Sequence, residues 1–274
     1  MIHIGTSGFS YRDWIGPFYP EGLRKEEYLP FYARFFDFTE INYTYYRMPS
    51  PSSLEKMCEK VPEDFLFTIK AHGSLTHERD KSWKKQCREF CHALVPLEER
   101  KMLGGVLLQF PFSFHYTPEN RRYLDALLQY LRELHIREIR HNSGDEGIPL
   151  FVEFRGAEWQ SEQVFDGLRE RETGVVVTDQ PELKGLPAFT PRICGIDAYF
   201  RFHGRNKENW WTGDNTSRYD YLYSREELSP LSKAVGEAGS RSRRLFAAFN
   251  NHRKGQAIQN ARDLQMMLIP LKGI

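Results

Sequence analysis

The sequence predicts a (β/α)8 TIM barrel with an irregular crossover in place of the sixth helix. Three observations carry that expectation. Eight short apolar, β-branched or aromatic runs alternate with helical patterns along all 274 residues. Parallel strands need crossovers of about a dozen residues or more, which the intervening segments supply. No GxGxxG turn follows the first run, which disfavours an open doubly wound sheet. One domain over residues 1–274 is expected, since such barrels run to about 250 residues as a unit.

The strand runs are residues 2–6, 38–43, 66–71, 105–110, 151–155, 175–179, 199–203 and 245–250. Met1-Ile2-His3-Ile4-Gly5 reads as a strand and lacks the charged and apolar regions of a signal peptide. A helix over residues 24–36 brings Tyr28, Phe31, Tyr32 and Phe35 to one face. Residues 53–60 follow Pro51, a residue favoured at helix starts. Residues 81–100 set Cys87, Phe90, Cys91 and Leu94 at helical spacing. The clearest helix is residues 118–134, with Thr117 as N-cap and Pro118 in the first position. Leu124, Leu127, Leu128, Leu131 and Leu134 then keep the helical period. Residues 162–172, 225–238 and 257–268 complete the helices. Between Asp179 and Tyr199, three prolines and two glycines break any amphipathic period, hence the irregular crossover. Residues 206–223, rich in Trp, Tyr, Asn and Gly, read as a long loop after the seventh strand.

Composition narrows the function. A net charge of +1 argues against a nucleic-acid coat protein or a polybasic membrane binder. No apolar run approaches the ~20 residues that span a bilayer. Cys58, Cys87, Cys91 and Cys194 make no disulfide framework, and buried thiols in a cytoplasmic protein are expected.

Alternate residues of a barrel strand enter the lumen, and the last of them reach the mouth. The strand ends supply Glu40 and Asn42, Lys70 and His72, Gln109, Glu153 and Arg155, Asp179, Arg201 and His203, then Asn250, Asn251 and His252. The paired ones stand two apart and share a face, while Ile41, Ile69, Phe154 and Phe202 face the helices. A buried polar core, with Glu40, Glu153 and Asp179 neutralising Lys70, Arg155 and Arg201, is the alternative. Buried ion pairs return little net stability, so a cluster of this size favours a ligand site. Glu153, Asp179, Lys70 and His203 are the candidate catalytic groups, with Glu153 or Asp179 as base. Glu40, Asn42, Gln109, Arg155, Arg201, Asn250, Asn251, Trp14 and Tyr45 are the candidate substrate-binding groups.

Weaker signals surround these. The turn Gly5-Thr6-Ser7-Gly8-Phe9-Ser10-Tyr11 offers N–H groups and hydroxyls to an anion, although such turns are common. Arg201, Arg205 and Lys254 would hold the anionic group in the loops after strands seven and eight. Trp14, Tyr45, Tyr46, Trp159, Trp210 and Trp211 either stack on a sugar or base or pack the rim. His72, His203 and His252 are candidates for proton transfer. With no HExxH or HxH pair and with Arg and Lys interleaved, neither a metal nor another cofactor is expected.

The leading expectation is a hydrolase-type enzyme whose partner is a small anionic ligand, such as a phosphorylated sugar or nucleotide. A non-catalytic protein that binds a small anion or sugar is the alternative from another class. A glycosidase using Glu40 and Glu153 is a third reading. A nuclease-like barrel acting on nucleic acid is not favoured, given the near-zero net charge.

These segments resemble the YecE-like family, barrel proteins grouped as a domain of unknown function. The matching pieces are Gly5-Thr6-Ser7-Gly8-Phe9 with Trp14, Phe18-Tyr19-Pro20, and Glu40-Ile41-Asn42 leading to Tyr45-Tyr46-Arg47. Leu108-Gln109-Phe110-Pro111, Glu153-Phe154-Arg155 and Arg201-Phe202-His203-Gly204 follow, then Phe249-Asn250-Asn251, Gly255 and Asn260-Ala261. The resemblance implies a (β/α)8 barrel and brings no established reaction. The family pattern commonly continues Glu-Phe-Arg with His, where this sequence has Gly156. A mechanism that needs that His does not carry over.

Overall fold

The computed structural model describes residues 1–135, 147–214 and 216–269. Eight parallel strands close into a barrel in chain order: β1 (Ile2–Ser7), β2 (Phe38–Ile41), β3 (Leu66–Lys70), β4 (Leu103–Gln109), β5 (Leu150–Glu153), β6 (Gly174–Asp179), β7 (Ala198–Phe202) and β8 (Leu245–Phe249). Closure is made by β8 against β1, in register from Ile2 opposite Leu245 to Thr6 opposite Phe249. Around the sheet lie α1 (Tyr28–Tyr32), α2 (Tyr43–Tyr46), α3 (Pro51–Cys58), α4 (Trp83–Glu99), α5 (Pro118–Leu134), α6 (Glu162–Glu170), α7 (Arg225–Ser240) and α8 (Gln256–Leu268). Among the described residues, no helix is long and apolar enough to cross a membrane.

The crossover from β6 to β7 carries no helix, as the prolines require. Residues 206–223 form turns without a helix or strand; position 215 lies outside the described residues. Helix α5 begins where its cap places it, with the Thr117 hydroxyl accepting from Asn120 N at 3.2 Å. Its five leucines are buried. All four cysteines are buried, Cys87 and Cys91 on the inner face of α4.

Some boundaries move. The helix expected over residues 24–36 contracts to α1, because Lys25–Glu27 forms a 3-10 turn and Arg34 and Phe35 bond back only three residues. Tyr28, Leu29 and Tyr32 make its buried face, and Phe35 is left exposed. The Tyr32 hydroxyl accepts from Thr6 N at 2.9 Å and donates to Phe38 O at 3.1 Å, tying β1 to β2. Strand β2 stops at Ile41, and Asn42 opens α2. A π-helical turn, Ser74–Glu78, follows β3. Neither α2 nor that turn was legible as an element, and both carry side chains to the barrel mouth.

The lumen is layered. Its apolar layer contains Phe38, Leu66, Leu107, Phe151, Tyr199 and Phe246. Two residues further along their strands stand Glu40, Thr68, Gln109, Glu153, Arg201 and Ala248. Along these strands the inward positions turn largely polar toward the C-terminal ends. Ile41, Ile69, Phe154 and Phe202 join the outer core beneath the helices, as their alternation demands.

Candidate functional site

The two inward carboxylates and Arg201 form one buried network. Arg201 bridges Glu40, at 2.7 Å from Nη2 to Oε1, and Glu153, through Nη1. Arg155 pairs with the other Glu153 oxygen at 2.7 Å. Glu40 also accepts from Tyr199 Oη at 2.5 Å and from the Ser7 hydroxyl. Ser7 in turn accepts from Asn42 Nδ2 at 2.7 Å and from Arg201 at 3.1 Å. His203 takes an Asn250 amide proton at Nδ1, 3.0 Å away, and turns Nε2 toward Glu153 at 3.3 Å. That arrangement suits the neutral ring protonated on Nε2.

The charges follow from these contacts. Burial would raise the Glu153 carboxyl, but Arg155, Arg201 and His203 outweigh it and hold it well below the usual carboxylate range. Burial opposes ionisation of Glu40 likewise, and Arg201, Ser7 and Tyr199 bring it below its ordinary value. His203 is lowered to about 3, first by burial and then by Arg155. Lys70 is lowered to about 7, by burial, then by Arg201 and, less, by Arg155, against Glu153 and Glu40.

Above this network opens a cavity of about 700 Å³. Lys70, Arg155, Arg201 and Arg218 line it, with His77 and His252. Among the described residues no Asp or Glu reaches its wall. Asn42, Gln109 and Asn250 add amides, and rings complete the enclosure: Tyr11, Tyr45, Trp210 and Tyr219 at the sides, exposed Tyr46 and Trp211 at the rim. Tyr11 stacks on His252 with 4.4 Å between centroids, Lys70 Nζ stands 4.6 Å from the Tyr45 centroid, and Arg155 lies 5.8 Å from that of Trp210. The buried Nε of Arg201 and Oδ1 of Asn42 find no hydrogen-bond partner among the described residues.

Lys70, Asn42, Tyr45, Gln109, Arg155, Arg201 and Asn250 thus come together on the wall, with Glu40, Glu153 and His203 buried in the network they contact. Three sequence candidates stand elsewhere. Asp179 faces outward, because Val176 and Thr178 take the inward positions of β6. It binds Arg205 at 2.7 Å and the Tyr223 hydroxyl at 2.7 Å. Asn251 donates to Asn260 and to Tyr221 O, both at 2.8 Å, and so fastens α8 to the loop after β7. Trp14 is fully buried, its Nε1 donating to His252 O at 2.6 Å.

The weaker signals divide in the same way. Of the anion-holding trio only Arg201 lines the cavity; Arg205 is engaged by Asp179, and the Lys254 N–H bonds Asp13 at 2.7 Å. Gly8 N is occupied by Glu40 O at 2.8 Å, so the first turn closes on the barrel itself. Trp159 is buried between Phe114 and Phe154, and His72 bonds Ser74. Arg218, Tyr219 and His77 line the cavity without having been singled out as candidates, and Tyr11 joins them from the first turn. A Cβ at Gly156 would fall 2.6 Å from Glu158 Oε2, so a carboxylate occupies the space beside that position.

Fold and mouth together define a class: a (β/α)8 barrel whose C-terminal end is a cationic, aromatic-walled pocket. The chain belongs to the family described as protein of unknown function DUF72, which matches residues 3–272. It is 29% identical to the UPF0759 protein YunF of Bacillus subtilis over 284 residues, covering 98% of this chain and 95% of that one. The UPF0759 protein YecE of Escherichia coli is 28% identical over 186 residues, 65% of this chain and 59% of its own length. Among solved structures, a DUF72 family protein from Thermotoga maritima superposes with a TM-score of 0.86 at 39% identity, over 98% of this chain and 99% of that one. Another from Enterococcus faecalis gives 0.83 at 26% identity, over 98% and 95%. The YecE-like resemblance and the barrel are both borne out.

Proposed function

We propose that the barrel mouth binds a small anionic molecule, a phosphorylated sugar or nucleotide, and that the chain is an enzyme acting on it. One observation carries this reading. Four cationic side chains line the cavity, and both inward carboxylates are committed to guanidinium groups beneath it. Held in this way, Arg155 and Arg201 keep fixed orientations without losing their charge, as bidentate recognition of phosphate requires. Tyr45 and Trp210 supply flat apolar faces for a sugar or base beside the anion.

The same geometry favours a different base. Glu153 is ionised but buried beneath the wall, so Lys70 is the better candidate to exchange a proton with the ligand. Hydrolysis remains the reaction class of this reading, with Lys70 rather than Glu153 or Asp179 as base. The committed carboxylates also favour a second reading, a non-catalytic anion-binding protein in which the acids only orient the arginines.

Thermal denaturation against matched pairs tests the first claim: a pentose or hexose phosphate against its free sugar, and a nucleoside monophosphate against its nucleoside. The phosphorylated member of at least one pair should stabilise the wild type. Arg155→Gln should weaken that binding about tenfold or more. Equal behaviour within every pair overturns the reading, whereas stabilisation without turnover of the same compounds selects the non-catalytic one.

A further inference from the structure

We propose that Lys70 is the nucleophile of the mouth, its amine condensing with the carbonyl carbon of an aldehyde or ketone that also carries the anionic group. This inference rests on the anion-binding reading above and names its substrate class, a phosphorylated or carboxylated carbonyl compound.

The three central cations are not equivalent. Arg201 is clamped by Glu40 and Glu153, and Arg155 by Glu153. Lys70, at the end of β3 on the same cavity wall, makes no ion pair with any described carboxylate. Its amine instead stands over the Tyr45 ring. A residue meant to grip an anion gains from a carboxylate that orients it and from the guanidinium fork. A nucleophilic amine has the opposite needs: burial, neighbouring cations that oppose its proton, and no carboxylate paired with it.

The surroundings of Lys70 meet those needs. Arg201 from β7 and Arg155 after β5 oppose its proton, while Glu153 and Glu40, occupied by those arginines, favour it only in part. His77, from the turn after β3, is lowered to about 4 by burial, Lys70 and Arg155, and therefore adds no charge at neutral pH. Lys70, Arg155 and Arg201 line one cavity, so an anionic group held by the arginines would present a carbonyl a few bonds away to the amine.

The step balances. The amine lone pair forms the N–C bond while the C=O π pair moves to oxygen. One proton passes from nitrogen to that oxygen and a second comes from solvent. Water leaves, and the nitrogen lone pair closes a protonated C=N bond.

Pyridoxal phosphate is a direct probe, because it carries a phosphate, a flat ring and an aldehyde. The full chain is incubated with it, reduced with borohydride, which delivers hydride to the C=N bond, and mapped by peptide mass. Lys70 should carry the adduct about tenfold faster than the exposed lysines at neutral pH. Pyridoxine phosphate, which lacks the aldehyde, should protect it. Lys70→Arg, shown to be folded by its circular dichroism and melting, should lose the fast adduct, leaving only the slow label on exposed lysines. Label confined to exposed lysines, with pyridoxine phosphate still binding, overturns the nucleophile and leaves the anion site standing. If neither pyridoxine phosphate nor inorganic phosphate binds, the underlying reading falls with it.

Discussion

Replacing Lys70 with methionine should make the protein more stable, and the gain should fade as pH rises. In the unfolded chain this lysine keeps its ordinary 10.5, whereas in the fold burial and then Arg201 bring it to about 7. Between those values the unfolded chain binds more protons than the folded one, so wild-type stability climbs with pH across that window. Below about 7 the full penalty applies. A gap from 10.5 to about 7 corresponds to roughly 5 kcal/mol, at ~1.4 kcal/mol per tenfold in proton affinity. Water entering the open cavity screens part of this, leaving about 2–4 kcal/mol. Methionine keeps the length and packs on Tyr45 without a charge. Urea unfolding of both proteins at several pH values measures the difference. The expected gain is about 2–4 kcal/mol near pH ~6 and close to nothing near pH ~10.5. A variant less stable than the wild type at neutral pH, or a gap that does not move with pH, refutes the argument that the fold holds this ammonium against its preference.

The buried carboxylates yield three further tests. Glu153→Gln removes the charge shared by Arg155 and Arg201 and should cost about 3–5 kcal/mol in denaturant unfolding, because a buried guanidinium is left uncompensated. A loss below about 1 kcal/mol would mean the network is not holding the mouth together. Glu40 and Glu153 both lie below their ordinary 4.5, so their contribution is intact above that value and drains away as pH falls below it. Acid unfolding should therefore be steeper in the wild type than in the Glu40→Gln/Glu153→Gln double variant, and equal slopes would contradict the coupling. Asp179→Asn should lower stability by about 1–3 kcal/mol by weakening the contacts to Arg205 and Tyr223. Anion affinity should stay unchanged, and a tenfold loss would place Asp179 in the mouth after all.

The barrel was legible because its signals are local and redundant. Thr117 and Pro118 mark the start of α5, and its leucines repeat at the helical period. The mouth was legible where a strand alternates cleanly: Phe38 and Glu40, Phe151 and Glu153, and Tyr199 and Arg201 each pair an apolar inward residue with a polar one. Strand β6 gave no such contrast. Val175-Val176-Val177 is apolar in either parity, so counting inward from the strand end put Asp179 on the wrong face. Depth was hidden as well. Alternation shows which side Glu40 and Glu153 take, but not that the guanidiniums would stand between them and the cavity. Arg218 and Tyr219 come from a loop with no periodicity, where only the wealth of aromatic residues hinted at a role. The aromatic spacing of residues 24–36 suits a helix, yet the Tyr32 bonds to both β1 and β2 are tertiary and leave no trace in a single segment.

A crystal structure of the protein with pyrophosphate at saturating concentration tests the central claim most directly. The account requires an ordered anion in the barrel mouth, in hydrogen-bonding contact with Arg155 and Arg201 and close to the Lys70 amine. Anions confined to the outer surface, with the mouth holding only water, would contradict it.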